Sequence, residues 1–173
     1  MGAKLVIGID DTDDARRGAT WSTVNEIAFA LEQEGACSYL GHSIVQLFPD
    51  NPYKTTNCCS TAVVLGVRPA DAGPITDSIA ARLEAGCFSD ECGIAVMEGV
   101  ETPEELRDFW GAAASRMVTI EDARKVADAA AVEMRRVTGE RGCIGALAAL
   151  GAHDETDRAV VLPAGRAAAG DGP

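Results

Sequence analysis

The sequence predicts an α/β (α+β) fold of the ferredoxin-like type, a β-α-β-β-α-β unit carrying additional C-terminal helices. Three observations predict it. Apolar runs of strand length recur at Lys4–Ile9, Cys37–Phe48, Thr61–Val67 and Gly93–Met97. Helical spacing of apolar residues follows the first run and separates the third from the fourth. Gly35, Pro49, Pro52, Pro74 and Gly86 mark the changes of period. That order implies a mixed or antiparallel four-stranded sheet with two helices on one face.

Each element has its own reason. The first run is continuously apolar, as expected of a strand buried on both faces. Val24, Ile27, Ala28 and Leu31 give a helix over about Thr20–Glu34, capped by Thr20 or by a Thr23/Glu26 box and closed by Gly35. Ile44–Phe48 is the core of the second strand, and Pro49–Lys54 is too rich in turn residues for regular structure. Pro74 suits the first turn of a second helix, with Ile75, Ile79 and Leu83 on one face. Thr102-Pro103-Glu104-Glu105 starts a third helix, with Leu106, Phe109 and Trp110 facing inward. Thr119 caps a fourth, whose stripe runs from Ala123 through Met134 to Val137 before Gly139. Ala146–Leu150 is apolar on all sides and predicts a short buried helix after Gly142 and Gly145. Ala159–Leu162 adds a short strand. Residues 1–162 are expected to form one domain, and 163–173 a mobile tail of small residues.

The 173 residues are enough for one sizeable core, and 47% hydrophobic with 24% charged residues is an ordinary soluble composition. No apolar run approaches the roughly 20 residues needed to span a bilayer. With no leader pattern near Met1, a cytoplasmic location is the expectation. The net charge of −12 argues against a broad nucleic-acid footprint, which needs clustered Lys and Arg. It leaves room for a nucleotide carried with a cation. The six cysteines form no CxxC pair and are expected to be reduced and buried. A thiol or metal protein using Cys58, Cys59, Cys87 and Cys92 is the alternative they allow.

Three stretches could carry chemistry. In Gly8-Ile9-Asp10-Asp11-Thr12-Asp13-Asp14, four carboxylates crowd the end of a strand just before a helix. A hard cation such as magnesium prefers carboxylate oxygen, and a helix N-terminus offers N–H groups to an anion. The same residues could simply be an acidic turn that caps the helix. Arg16 and Arg17 could answer these acids, grip a phosphate or stand as surface charge. In Lys54-Thr55-Thr56-Asn57, an ammonium, hydroxyls and an amide could hold phosphate oxygens, or form a polar loop before a strand. No Walker A pattern occurs. Gly142-x-x-Gly145 permits close approach either of a phosphate or of a packing neighbour.

Together these pieces resemble the N-terminal, kinase-like domain of the archaeal agmatinylcytidine synthetases, which modify the anticodon of an isoleucine tRNA. They also resemble a related methanogenesis-marker family. The matching segments are Ile7–Asp13, Asn51-Pro52-Tyr53 with Lys54-Thr55, and Gly142 to Ala149. The resemblance implies ATP and Mg2+ as cofactors and a phosphotransfer-type reaction. It implies Asp10, Asp11 and Asp13 at the metal and Asp10, Lys54 and Thr20 at the chemistry. Asp11, Thr12, Arg17, Gly18, Thr55, Asn57, Gly142 and Gly145 would contact the nucleotide. Two departures stand out. By position, Trp21 falls where the synthetase has a self-phosphorylated threonine, so Thr20 or Ser22 could replace it only after a small shift. No counterpart of the synthetase's further domains, which hold tRNA, is expected in these 173 residues.

The expected function is an ATP- and magnesium-dependent phosphotransferase-like domain acting on a small molecule or a partner-held substrate. The alternative is a non-catalytic nucleotide-binding subunit of a larger complex. tRNA binding by this chain alone is not expected, nor is a membrane partner. The acceptor is not named, and a homodimer or partner protein is allowed.

Overall fold

A computed structural model describes residues 2–155 except 56 and 100, together with the backbone of 159–162. The sequence-predicted tail at 163–173 lies outside the described residues. Strands are β1 (Ala3–Asp10), β2 (Ser38–Gln46), β3 (Cys59–Val67), β4 (Gly93–Glu98), β5 (Glu133–Arg136) and β6 (Ala159–Leu162). Helices are α1 (Thr20–Gln33), α2 (Ala72–Gly86), α3 (Glu104–Ser115), α4 (Ile120–Ala129) and α5 (Gly142–Ala152). The sheet order is β5-β4-β1-β3-β2-β6, and every neighbouring pair is antiparallel. Its centre, β4-β1-β3-β2, is the split-βαβ arrangement expected from the element order. Among the described residues no helix is long and apolar enough to cross a membrane.

Alternation along the central strands builds two cores. Leu5, Ile7 and Ile9 point to one face with Val63, Leu65, Ile94 and Val96, where α1 and α2 cover them through Val24, Leu31, Ile79 and Leu83. Val6, Ala62, Ala95 and Met97 point to the other face, beneath α5 and the α3–α4 pair. The central strands are therefore covered on both sides, which explains why β1 reads as a continuous apolar run.

Helix α5 lies unusually close to the sheet. A Cβ on Gly8 would stand 1.9 Å from the Ala146 carbonyl oxygen. One on Gly142 would stand 2.5 Å from the Glu91 carbonyl oxygen, and one on Gly145 only 1.7 Å from Asp10 Oδ2. The Gly142-x-x-Gly145 spacing thus serves close packing of backbone on backbone at one end and on a carboxylate at the other.

The structure corrects three expectations. The stripe from Ala123 to Val137 is not one helix. α4 ends at Ala129, Ala131 takes a left-handed φ of 53°, and the chain turns into the edge strand β5. The N–H of Val132 bonds the Ala127 carbonyl at 2.9 Å, and that of Ala131 bonds Asp128 at 3.4 Å. This is a Schellman ending with alanine where glycine is usual, so the stop was hidden. Neither Thr20 nor Thr23 caps α1: Ala19 is the capping residue and makes no side-chain bond. Pro103, not Thr102, precedes α3. Thr119 does cap α4, in a reciprocal box with Asp122.

Candidate functional site

At Asp10 the first strand leaves the sheet and the chain turns sharply. Asp11 holds a left-handed φ of 56°, a conformation that aspartate tolerates better than most residues. Its N–H donates to Asp10 Oδ1 at 2.8 Å. The loop then wraps on itself: Asp14 accepts from the N–H groups of Arg16 and Arg17 at 2.7 and 2.9 Å. Thr12, buried, bonds Thr20 through its N–H and its hydroxyl. Thr20 in turn donates to Asp13 Oδ1 at 2.9 Å. These bonds fix the acidic turn at the start of α1.

The polar loop after β2 comes to the same place. Phe48 N–H bonds the Ala113 carbonyl at the end of α3, at 2.9 Å. Lys54 Nζ donates to the Pro49 carbonyl at 2.5 Å. Thr55 donates to Asp13 Oδ2 at 3.0 Å, across 42 residues of sequence. The third segment is the N-terminus of α5, where Arg141 Nε donates to Asp11 Oδ2 at 3.0 Å and its backbone N–H to Glu91.

These segments enclose a cleft of about 230 Å³. Asp10, Asp11, Asp13, Lys54, Thr55, Asn57 and Gly145 of the sequence-predicted residues line it. Arg116 and Arg141, which sequence reasoning passed over, line it too, as do Cys58 and Cys59. Leu47, Phe48, Met117, Val118 and Ile144 give it an apolar wall. Arg141 directly precedes the glycine pair, so its place at a helix start was the one signal available. Arg116 had none.

The other predicted residues stand apart. Arg17 pairs with Asp14 at 3.0 Å and lies 4.4 Å over the Phe88 ring. Gly18, with φ 85°, abuts the same ring. Thr12 and Thr20 support the acidic turn from beneath, and Gly142 packs against β4.

The electrostatics are uneven. Burial, then the neighbouring Asp11 carboxylate, push the Asp10 carboxyl well above the usual range, against the Asp11 N–H bond. Burial raises Asp11 as well, opposed by Arg141. Burial and the Asp10 charge raise the thiols of Cys58 and Cys59, which makes both poor nucleophiles. Among the described residues no three His, Cys, Asp or Glu side chains converge as a ready metal cage. The cleft therefore joins crowded, undercompensated carboxylate oxygens to three cationic side chains and an apolar wall.

The sequence and the antiparallel α+β fold have known counterparts. The model of the TiaS TCKD domain matches residues 6–77, from β1 through the Lys54 loop into α2. An uncharacterised protein of Methanocaldococcus jannaschii is 41% identical over 148 residues, 86% of this chain and 49% of that protein. The isoleucine-tRNA 2-agmatinylcytidine synthetase TiaS of Pyrococcus horikoshii is 30% identical over 151 residues, 85% of this chain and 35% of the synthetase. The crystal structure of TiaS in complex with its isoleucine tRNA and ATP superposes with a TM-score of 0.76 at 24% identity, over 88% of this chain and 37% of that one. The chain is thus similar to the TiaS kinase-like domain in sequence and in fold. It spans about half the length of the first relative and about a third of the synthetase.

Proposed function

We propose that this chain is an ATP- and magnesium-dependent phosphotransferase-like domain acting on a small molecule or on a substrate held by a partner. The observation that carries this reading is the convergence of Asp10, Asp11 and Asp13 with Lys54, Arg116 and Arg141 on one cleft. Acids alone would suit a cation and bases alone a phosphate. Both together suit a polyphosphate carried with its cation. The relative solved with ATP and its tRNA supports the nucleotide part.

The three acids offer oxygen donors, and Asp10 is held against burial and a like charge, so a hard cation would relieve it. Magnesium commonly takes one or two carboxylates and leaves its other positions to phosphate and water. A site short of three converging acids is consistent with that. Asp10 and Asp11 would hold the metal, with Asp13 assisting. When bound, the metal would supply positive charge to offset the charge that builds on the transferring phosphoryl group. Lys54 and Arg141 would draw on phosphate charge from the protein side. Thr55 and Asn57 would position the nucleotide, and Thr20 keeps Asp13 oriented. Such catalysis is mainly positioning and electrostatic stabilisation.

Asp10→Asn tests this reading. Magnesium-dependent release of ADP or AMP should fall by about two orders of magnitude, and ATP affinity in calorimetry should fall with it. Unchanged turnover would sink the assignment. The position of Trp21, where the synthetase carries a threonine, favours a second reading as a non-catalytic nucleotide-binding subunit. Saturable ATP binding without turnover over a broad acceptor panel would select it.

A further inference from the structure

Cys87 and Cys92 do not line the nucleotide cleft, yet the loop between them supports two of its walls. Cys87 closes α2, and Cys92 directly precedes β4. Their side chains meet: the Cys92 thiol hydrogen-bonds the Cys87 sulfur. The Cys87 thiol in turn donates to the Ser89 carbonyl at 3.6 Å. Cys92 is fully enclosed, whereas Cys87 is half-buried and reached by solvent. The residues between them make the contacts that matter. The Phe88 N–H donates to the Thr12 carbonyl at 2.8 Å, and its ring lies beneath the Arg17 guanidinium. Glu91 Oε2 accepts from the Arg141 N–H at 3.1 Å, and the Glu91 carbonyl accepts from the Gly142 N–H at 2.8 Å. One end of the loop thus holds the acidic turn. The other holds the start of α5, from which Arg141 reaches Asp11 at 3.0 Å. Cys92 is itself anchored, its N–H on the Thr138 hydroxyl at 2.9 Å and its carbonyl on the Val137 N–H at 3.0 Å.

Two thiols in contact, one accessible and one enclosed, are arranged for stepwise oxidation. Resting on the nucleotide reading above, we propose that Cys87 and Cys92 form a redox modification site whose closure to a disulfide weakens nucleotide binding. The oxidant is a low-molecular-weight disulfide, RSSR. The Cys87 sulfur bonds to one sulfur of RSSR as the S–S bond breaks, and RSH leaves with the electron pair and the Cys87 proton. The Cys92 sulfur then bonds to Cys87, and a second RSH leaves with the electron pair and the Cys92 proton. The two protein thiols lose two electrons, and RSSR gains them as two RSH. An S–S bond is about 2.05 Å long, shorter than any thiol hydrogen bond, so its formation draws together the ends of a loop anchored at both. Glu91 shifts from the Arg141 and Gly142 N–H groups, and Arg141 is no longer held at the cleft. ATP therefore binds the dithiol form better. Pairs of this kind in a reducing compartment are usually redox-sensing rather than structural.

The test compares the full chain reduced and after equilibration with glutathione disulfide. Both cysteines fall on one tryptic peptide, Leu83–Arg107, and mass spectrometry after thiol blocking should find it with an internal disulfide. Calorimetry with magnesium should show ATP affinity about tenfold lower in the oxidised protein, a usual size for coupling between two sites. By reciprocity, saturating ATP should shift the glutathione equilibrium of the pair toward the dithiol by the same factor. Cys87→Ser should bind ATP as the reduced wild type does, before and after treatment, which separates this pair from the other cysteines. The wild-type comparison serves alone if that variant does not fold. A peptide that keeps two free thiols or stops at a glutathione adduct would overturn the site. So would an internal disulfide that leaves ATP affinity unchanged, or a Cys87→Ser protein that loses affinity on treatment as wild type does. If the reduced protein binds ATP and the pair does not close, the redox site fails alone. If the reduced protein does not bind ATP, the nucleotide reading fails, and with it the control of the cleft.

Discussion

The two faces of the central sheet are built by opposite means. Toward α1 and α2, branched side chains fill the interface: Leu5, Ile7 and Ile9 meet Val24, Leu31, Ile79 and Leu83. Toward α5, the contact depends on side chains that are missing, because Gly8 and Gly145 let the helix rest on strand backbone and on the Asp10 carboxylate. The first face is a core of ordinary thickness, and the second brings a helix N-terminus to the end of β1. The cost of closeness is intolerance. A filled interface can repack around a lost methyl group, whereas backbone against backbone has nothing to rearrange.

The largest expected effect follows directly. Gly8→Ala would place its Cβ 1.9 Å from the Ala146 carbonyl oxygen, so helix α5 must move as a body. A loss of about 3 kcal/mol in denaturant unfolding is expected, at the upper end for overpacking. Ile7→Val, one residue away on the other face, should cost about 1 kcal/mol. Comparable losses at the two positions would show that α5 can lift off without penalty, and the contrast between the faces would disappear.

The same contrast explains what could be read from sequence. Alternation of Leu5, Ile7 and Ile9 with helical spacing in Val24–Leu31 and Ile75–Leu83 is a signal of present residues. It yielded the element order and hence the split-βαβ centre. The acidic turn and the Lys54 loop were also visible, because charge at a strand end is unusual. Their meeting was not. Thr55 and Asp13 are 42 residues apart, and Arg141 reaches Asp11 across 130, distances that no local pattern encodes. Arg116, Met117 and Val118 enter the cleft because the end of α3 meets the loop after β2, where the Phe48 N–H bonds the Ala113 carbonyl.

The missed edge strand has a different cause. Ala131 occupies the left-handed position where glycine would have announced the end of α4, and Met134 and Val137 happen to continue its apolar spacing. An alanine there costs roughly 1 kcal/mol relative to glycine. Ala131→Gly should therefore stabilise the protein by about 1 kcal/mol in thermal or denaturant unfolding, net of the extra freedom glycine gives the unfolded chain. A loss of stability instead would mean that α4 gains from alanine's helix propensity and runs on past Ala129, as the sequence pattern first suggested.

The smallest expected effect probes a buried polar cluster on the α1 face. The Tyr39 hydroxyl donates to Asn25 Oδ1 at 2.7 Å and also meets His42 Nδ1. With that donor spent on Asn25, the Tyr39 oxygen can only accept from His42, which assigns the imidazole proton to Nδ1. His42 Nε2 is then a buried acceptor with no hydrogen-bond partner among the described residues. A second proton there would add a buried charge, and burial accordingly pushes the imidazole below its ordinary value of 6.5. The sign is that of a depressed group: below about pH 6.5 the unfolded chain takes up a proton that the folded chain refuses. His42 therefore contributes stability that is present above pH 6.5 and declines as the pH falls toward the folded value. His42→Gln keeps a side chain able to bond Tyr39 and removes the titration. Between pH 7 and 5 the wild-type denaturation midpoint should fall more steeply than that of His42→Gln. Parallel slopes would mean that the folded imidazole takes its proton as readily as the unfolded one, and that water reaches the sheet under α1.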